Sequence, residues 1–241
     1  MNENEFEFIE SLYKLAEEEL KKIYEEKKNN RTEVLNFVAN ILLIYTITNN
    51  FMDISKNNKK KEYEIICKKI NDIFNSDVKN QQKLINDLLN TVVKNTYIFY
   101  NYNFKLKDVK KIIDNNFAGK HFSTRIWNNE SKTARVLNKK IKDFLNGKIN
   151  VNQIKSDIEN IFNTSAYNSK RLVETEVSRC ETEAFKQFCY ETEVKKVKRI
   201  AVMDARTCED CMEYDNKIYT LKDAPNLPEH PLCRCYLSVW E

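Results

Sequence analysis

Apolar residues recur at helical spacing from the start of the chain. Between residues 5 and 28, Phe8, Leu12, Leu15 and Ile23 stand among charged side chains. Glu17 with Lys21 and Glu18 with Lys22 form i,i+4 pairs in the favourable order, and Asn29-Asn30 is expected to end this helix. Val34, Phe37, Val38, Ile41, Leu42 and Tyr45 make a second stripe, opened near Thr32. Residues 59–74, with Tyr63, Ile66, Ile70, Ile73 and Phe74, and residues 78–102 predict two more helices. The first hundred residues thus read as a small helical bundle with nothing catalytic in its pattern.

A break is expected at Asn115-Asn116 and Gly119. Beyond it, a basic helix reaches Leu145 and stops at Asn146-Gly147, and a short helix covers 149–162. A long helix should run from Thr164 to Val194, with Leu172, Val173, Val177, Ala184, Phe185 and Phe188 on its buried side. The character then changes. Residues 197–203 are rich in β-branched side chains and predict a strand. Asp215-Asn216 suits a tight turn into a short strand at 218–220. All three prolines fall between 225 and 231, which marks an irregular loop, and 236–240 alternate as a last strand. The expected fold is mainly α. An N-terminal helical bundle is followed by a helical segment and a small α+β C-terminal unit with short antiparallel strands.

Composition supports this reading. Glycine and proline number only 2 and 3, too few for the turns of a sheet-rich fold. The acidic N-terminus is unlike a secretory signal, and the most apolar stretch, 37–47, is shorter than the roughly 20 residues of a membrane span. A cytosolic protein with no membrane association is expected. Net charge is only +4, but it is unevenly spread. Residues 1–28 hold 9 acidic and 5 basic side chains, and residues 105–148 hold 12 basic and 4 acidic ones. Opposite ends of the sequence suit different partners.

Of 7 cysteines, four crowd into 208–235. Cys208 and Cys211 stand two residues apart, so both sulfurs can face one point from a single turn. His230, Cys233 and Cys235 offer three more donors about twenty residues later. Zinc takes four N or S ligands in a tetrahedron, and a pair from each of two knuckles is the usual solution. Five candidates compete for four places: Cys208, Cys211 and Cys235 rank first, with His230 and Cys233 level for the last. Buried thiols beside an unrelated histidine are the plainer alternative, and the spacing argues against them. Four soft protein ligands leave no open position on the metal, so its role is expected to be structural.

Residues from about 115 to 235 resemble the Mu-F-type phage head morphogenesis proteins, also called minor head or minor capsid proteins. The matching pieces are Gly119 with Phe122-Ser-Thr-Arg125-Ile-Trp127, and Arg171-Leu-Val-Glu174-Thr-Glu176 with Arg179. They continue with Asp204-Ala-Arg206-Thr-Cys208-Glu-Asp-Cys211, Asp215, and His230-Pro-Leu-Cys233-Arg-Cys235. Asn216 stands where the family usually has Gly, and Asn tolerates the left-handed backbone. The resemblance implies a virion component near the portal vertex, with portal protein and other head components as partners and a part in head assembly and DNA packaging or delivery. A division is expected at 104/105, with a helical docking domain at 1–104, where the sequence departs from the shared pattern, and a Mu-F-like domain at 105–241. Within the latter, helices fill 105–195 and the zinc-binding unit fills 196–241. Glu176, Arg206 and Asp204 belong to the shared pattern, and a buried pair of Glu176 with Arg206 would tie the long helix to the zinc unit.

Two other chemistries compete with this reading. Three Glu-Thr-Glu triplets begin at Glu174, Glu181 and Glu191, and paired glutamates also occur in ADP-ribosyltransferases. On a helix, i and i+2 point about 200° apart, so such a pair cannot converge on one substrate; a solvated charged face, with Glu174 or Glu176 paired to a local Arg, is expected instead. A nuclease would need more bases than His121 and His230, the only two histidines. The basic run, with Lys132, Arg135, Lys139, Lys140 and Lys142, could meet DNA phosphates or an acidic partner, or simply face water. A DNA-binding module with a zinc-stabilised tail is the second functional reading. Trp127 is expected in the core.

Overall fold

The structure, a computed structural model, describes residues 3–205 and 207–240. Of the described residues, 69% are helical. Helix α1 (Glu3–Ile44) leads to a hairpin of β1 (Thr46–Thr48) and β2 (Phe51–Asp53), then to α2 (Lys56–Phe99), α3 (Leu106–Ile113), α4 (Phe122–Leu145) and α5 (Val151–Glu191). The C-terminal part holds β3 (Lys196–Ile200), the short α6 (Glu209–Glu213), β4 (Ile218–Thr220) and β5 (Tyr236–Trp240). The chain is mainly α, with short antiparallel strands at its C-terminus.

Three expected helix breaks are absent. Asn29-Asn30 lies inside α1, the gap between Phe74 and Val78 lies inside α2, and the gap between Phe162 and Thr164 lies inside α5. Asparagine costs a helix only about 0.7 kcal/mol relative to alanine, and none of these places has Gly or Pro. The hairpin at 46–53 is an addition. Its turn, Asn49-Asn50, has φ of 53° and 65°, the left-handed pair that a type I′ turn requires.

Two compact units arise, each from separated stretches. The first comprises the described residues of Met1–Leu20, Lys83–Phe122 and Lys170–Glu241; the second comprises Lys21–Gln82 and Ser123–Ser169. These units are defined by packing, whereas the expected division at 104/105 rests on the resemblance alone.

In the second unit, four helical segments enclose one core, which includes Val34, Val38, Ile70, Phe74, Leu137, Ile141, Phe144 and Ile158. A buried polar layer crosses the same segments. Lys27 donates to Asp77 at 3.1 Å, to Glu130 at 2.8 Å and to Ser165 at 2.8 Å. Gln81 donates to Asp77 and Glu130, and accepts from Ser169. Each proton of the ammonium thus has an acceptor, as a buried charge requires.

The first unit is built against α5. Its residues from Leu172 to Thr182 are all buried, so this stretch is enclosed on every side. Strand β3 lies between β4 and β5, antiparallel to both, with Val197 opposite Tyr219 and Val239. Phe185, Cys189, Val197, Ala201, Leu221 and Leu237 form the core beneath the sheet. Tyr100 stacks on Phe188 with ring centroids 4.8 Å apart.

Candidate metal centre

The donors arrive on two loops that the sheet holds in place. After β3, Thr207 donates to the Val202 carbonyl at 2.6 Å and accepts from the Asp204 amide at 2.9 Å. Cys208 then caps α6, its sulfur accepting from the Cys211 amide at 3.4 Å. Return to β4 passes Asn216 at φ 58°, whose amide donates to the Arg199 carbonyl at 2.9 Å. Asp215 accepts from the Ala201 amide at 2.8 Å. The expected Asp-Asn turn therefore exists and fastens the first knuckle to β3.

The second knuckle is a tight bend from His230 to Cys235. The Cys233 amide donates to the His230 carbonyl at 3.2 Å, and Leu232 takes φ 67°. The Leu232 amide is met by Thr175 on α5 at 3.2 Å. Thr175 is the middle residue of a Glu-Thr-Glu triplet, so part of this triplet holds the knuckle.

Five donors meet here in two triads that share Cys211. Cys208, Cys211 and His230 form one; Cys211, Cys233 and Cys235 form the other, and each could hold a metal ion. His230 Nε2 lies 3.3 Å from both the Cys208 and Cys211 sulfurs, and Cys211 lies 3.7 Å from Cys233. Ligands at about 2.3 Å (S) and 2.0 Å (N) from one tetrahedral ion stand roughly 3.5–3.8 Å apart, so the donor set fits such an ion. His230 Nδ1 is 3.1 Å from the Pro231 carbonyl. A proton on Nδ1 leaves the Nε2 lone pair facing the thiols, the usual second contact of a ligating histidine. The cavity lined by these donors measures only about 20 Å³, against the few hundred of a substrate pocket.

The thiols differ in acidity. A hydrogen bond from the Cys211 amide lowers Cys208, and the Cys235 thiol, as hydrogen-bond donor, lowers Cys233 to about 5. Burial raises Cys211 to about 12, and Cys235 is raised chiefly by its bond to Cys233. Arg199 stands behind them. Its guanidinium reaches the Cys211 sulfur at 3.5 Å, the Cys235 sulfur at 3.7 Å and Glu229 at 2.7 Å, and only 1% of the residue is exposed. This residue was missed in the sequence. Its signal is parity: Val197, Arg199 and Ala201 alternate on one face of a strand, so an inward Val and Ala imply an inward Arg.

The other expected positions divide. Glu176 is buried and pairs with Arg179 at 2.7 Å, Asp204 accepts from Arg234 at 2.9 Å, and Arg206 lies outside the described residues. Glu191 and Glu193 of the third triplet are exposed as expected, but the first two triplets are not a solvated face. Glu174, Glu176 and Glu181 are buried, because the helix is enclosed all round there. Glu174 is engaged with Lys170 at 3.6 Å while Glu176 holds Arg179, so the two carboxylates do not share a target. In the basic run, Lys140 is tied to Asp157 at 3.0 Å, and Lys132 is exposed. Arg135, Lys139 and Lys142 border a cavity of the second unit. Trp127 is 56% exposed rather than in the core. No helix among the described residues is long and apolar enough to cross a membrane.

A helical protein whose small C-terminal sheet presents two knuckles of Cys and His donors that could hold a metal ion is the class that these features define. Residues 135–238, which include every one of those donors, match the family described as phage Mu protein F-like protein, so this segment of the chain is similar to that family. Over that segment the likeness suggests a phage head protein. No curated protein and no solved structure matches the chain.

Proposed function

We propose that this chain is a non-enzymatic minor head protein of a tailed phage, acting at the portal vertex in head assembly, with one structural zinc in its knuckle. The observation that carries it is coincidence: the segment that matches the Mu F-like family also brings five soft donors together. Zinc is the metal that such a donor set fits, since four N and S ligands satisfy it without an open position. Cys208, Cys211, His230 and Cys233 are assigned as ligands, with Cys235 donating to Cys233. Bound zinc would supply folding energy to a sheet of three short strands.

Portal protein and other head components are the proposed partners, and residues 1–104, which lie outside the family match, carry the specific docking surface. DNA is a second partner on this reading. Assembly takes place in the host cytoplasm. The test combines elemental analysis with capture. Purified reduced protein should carry about one zinc per chain and retain portal protein on a column. Metal-free folded protein would remove the zinc assignment, and failure to retain portal protein or enter heads would remove the portal-vertex role.

A further inference from the structure

The second unit carries a groove between α2 and α4 that has no part in the metal centre. Its volume is about 590 Å³. Trp127, Arg135, Lys139 and Lys142 line it from α4, and Tyr63 and Asn71 from α2. On α4 these positions form one stripe of i,i+4 and i,i+3 steps, about 22 Å long at 1.5 Å per residue.

Charge in the groove is one-sided. Arg135, Lys139 and Lys142 pair with no carboxylate among the described residues, whereas Lys140 and Lys148 on neighbouring faces are paired with Asp157 and Asp143. The one carboxylate in the lining, Glu130, is 1% exposed and already met by Lys27 at 2.8 Å. Cations left unpaired side by side in a concavity concentrate positive potential there. Aromatic surface lies at both ends. Trp127 is 56% exposed, unusual for so large an apolar ring. Tyr63 sits under the Lys142 ammonium, 5.8 Å from its ring centre. Between them Asn138 donates to Asn71 at 3.3 Å, which leaves amide groups for polar edges.

From these features we infer that the groove binds a single strand of nucleic acid, with phosphates on Arg135, Lys139 and Lys142 and a base stacked on Trp127. A cationic track with aromatic platforms is the arrangement by which single strands are held without sequence preference. A cleft between two helices admits a strand but not the body of a duplex. An acidic polypeptide would satisfy the cations yet have no use for the exposed indole face. The inference rests on the proposed function only in giving that reading's DNA contact a place.

Trp127 supplies the readout. The chain has two tryptophans, so Trp240→Phe in the full-length protein leaves Trp127 as the sole indole. Titration with an oligothymidylate at low salt should quench its fluorescence. Trp127→Ala should weaken binding about 5- to 150-fold by anisotropy, the range of one stacked base. The triple variant Arg135→Ala, Lys139→Ala, Lys142→Ala should weaken it further and flatten the salt slope by about 2. Lys132→Ala removes the same charge outside the groove and should leave affinity unchanged; circular dichroism checks that every variant folds. No quenching, or equal losses from Lys132→Ala and each groove variant, would overturn the inference. So would equal binding of polyglutamate, or of duplex DNA with no effect of Trp127→Ala. Head incorporation is scored separately, so failure of the portal reading leaves this result intact.

Discussion

Thiolates gathered within a few ångströms repel one another, and one dication neutralises only part of their charge. Three cysteines and a histidine around the proposed zinc would leave a net negative charge in a largely buried place, and Arg199 is the cation positioned to meet it. Arg199→Met keeps the volume and removes the charge. We expect it to weaken zinc retention about 10- to 100-fold in competition with a chromogenic chelator, the usual effect of losing a contact behind the ligands. Unchanged retention would reduce Arg199 to the partner of Glu229. A second residue, Glu181, sets a pH dependence. Burial pushes its carboxyl up to about 8, offset in part by Thr182, and its Oε1 has no hydrogen-bond partner. The folded state therefore holds this proton more tightly than the unfolded chain, whose carboxyl titrates near 4.3. Its contribution to stability is fully present below that value and is lost as pH rises toward about 8, by at most about 1.4 kcal/mol per pH unit. Glu181→Gln should remove this component from denaturant unfolding measured between pH 5 and 8. A slope identical to that of the parent protein would show that another group is responsible.

The long helices depend on a layer that a hydrophobic pattern cannot display. Lys27, Asp77 with Gln81, Glu130, and Ser165 with Ser169 occupy inward positions on α1, α2, α4 and α5, each continuing an apolar stripe with a polar side chain. Read as sequence, three of those four places look like helix ends, and they coincide with the breaks that the structure lacks. A polar residue is taken for a solvent position unless its partners are known, and these partners lie 50 to 138 residues away. Local features fared differently. Gly147 at φ 70° ends α4 where Asn146-Gly147 predicts, and the five donors come together as their spacing implies. Arg199 and Thr175 escaped notice because their roles depend on tertiary placement. The layer itself can be tested. Lys27→Met strands two buried carboxylates and should cost about 3–5 kcal/mol, read from the denaturation midpoint. Adding Asp77→Asn and Glu130→Gln removes the stranded charge and should recover most of the loss. A triple variant no more stable than Lys27→Met would mean that the ion pairs themselves hold the segments together.

At the scale of the whole molecule, the interleaving of the two units decides how docking can be dissected. A chain cut to begin near Asn116 would seem a natural way to separate the docking part from the family-like part. The first unit, however, also contains the described residues of Met1–Leu20 and Lys83–Phe122. Within it, Phe8 stacks on Phe99 at 4.2 Å, Tyr100 packs on Phe188, and Arg234 of the second knuckle lies over Tyr13 at 4.6 Å. Removing those stretches exposes the face of α5 that they cover, and burial of a large aromatic ring alone contributes about 2–3 kcal/mol. The truncated chain is therefore expected to lose zinc and near-ultraviolet circular dichroism together, so its absence from heads would say nothing about docking. Point substitutions within 1–104 avoid this. Leu43 and Ile44 are 85% and 67% exposed, so changing both to serine removes little packing and should leave the melting temperature within about 2 °C of the parent. If docking resides in this part, a series of such surface variants should include ones that keep zinc and fold yet fail to enter heads in a complementation assay. Uniformly normal incorporation across that series, set against loss from comparable surface changes in 135–238, would move the docking surface to the family-like segment.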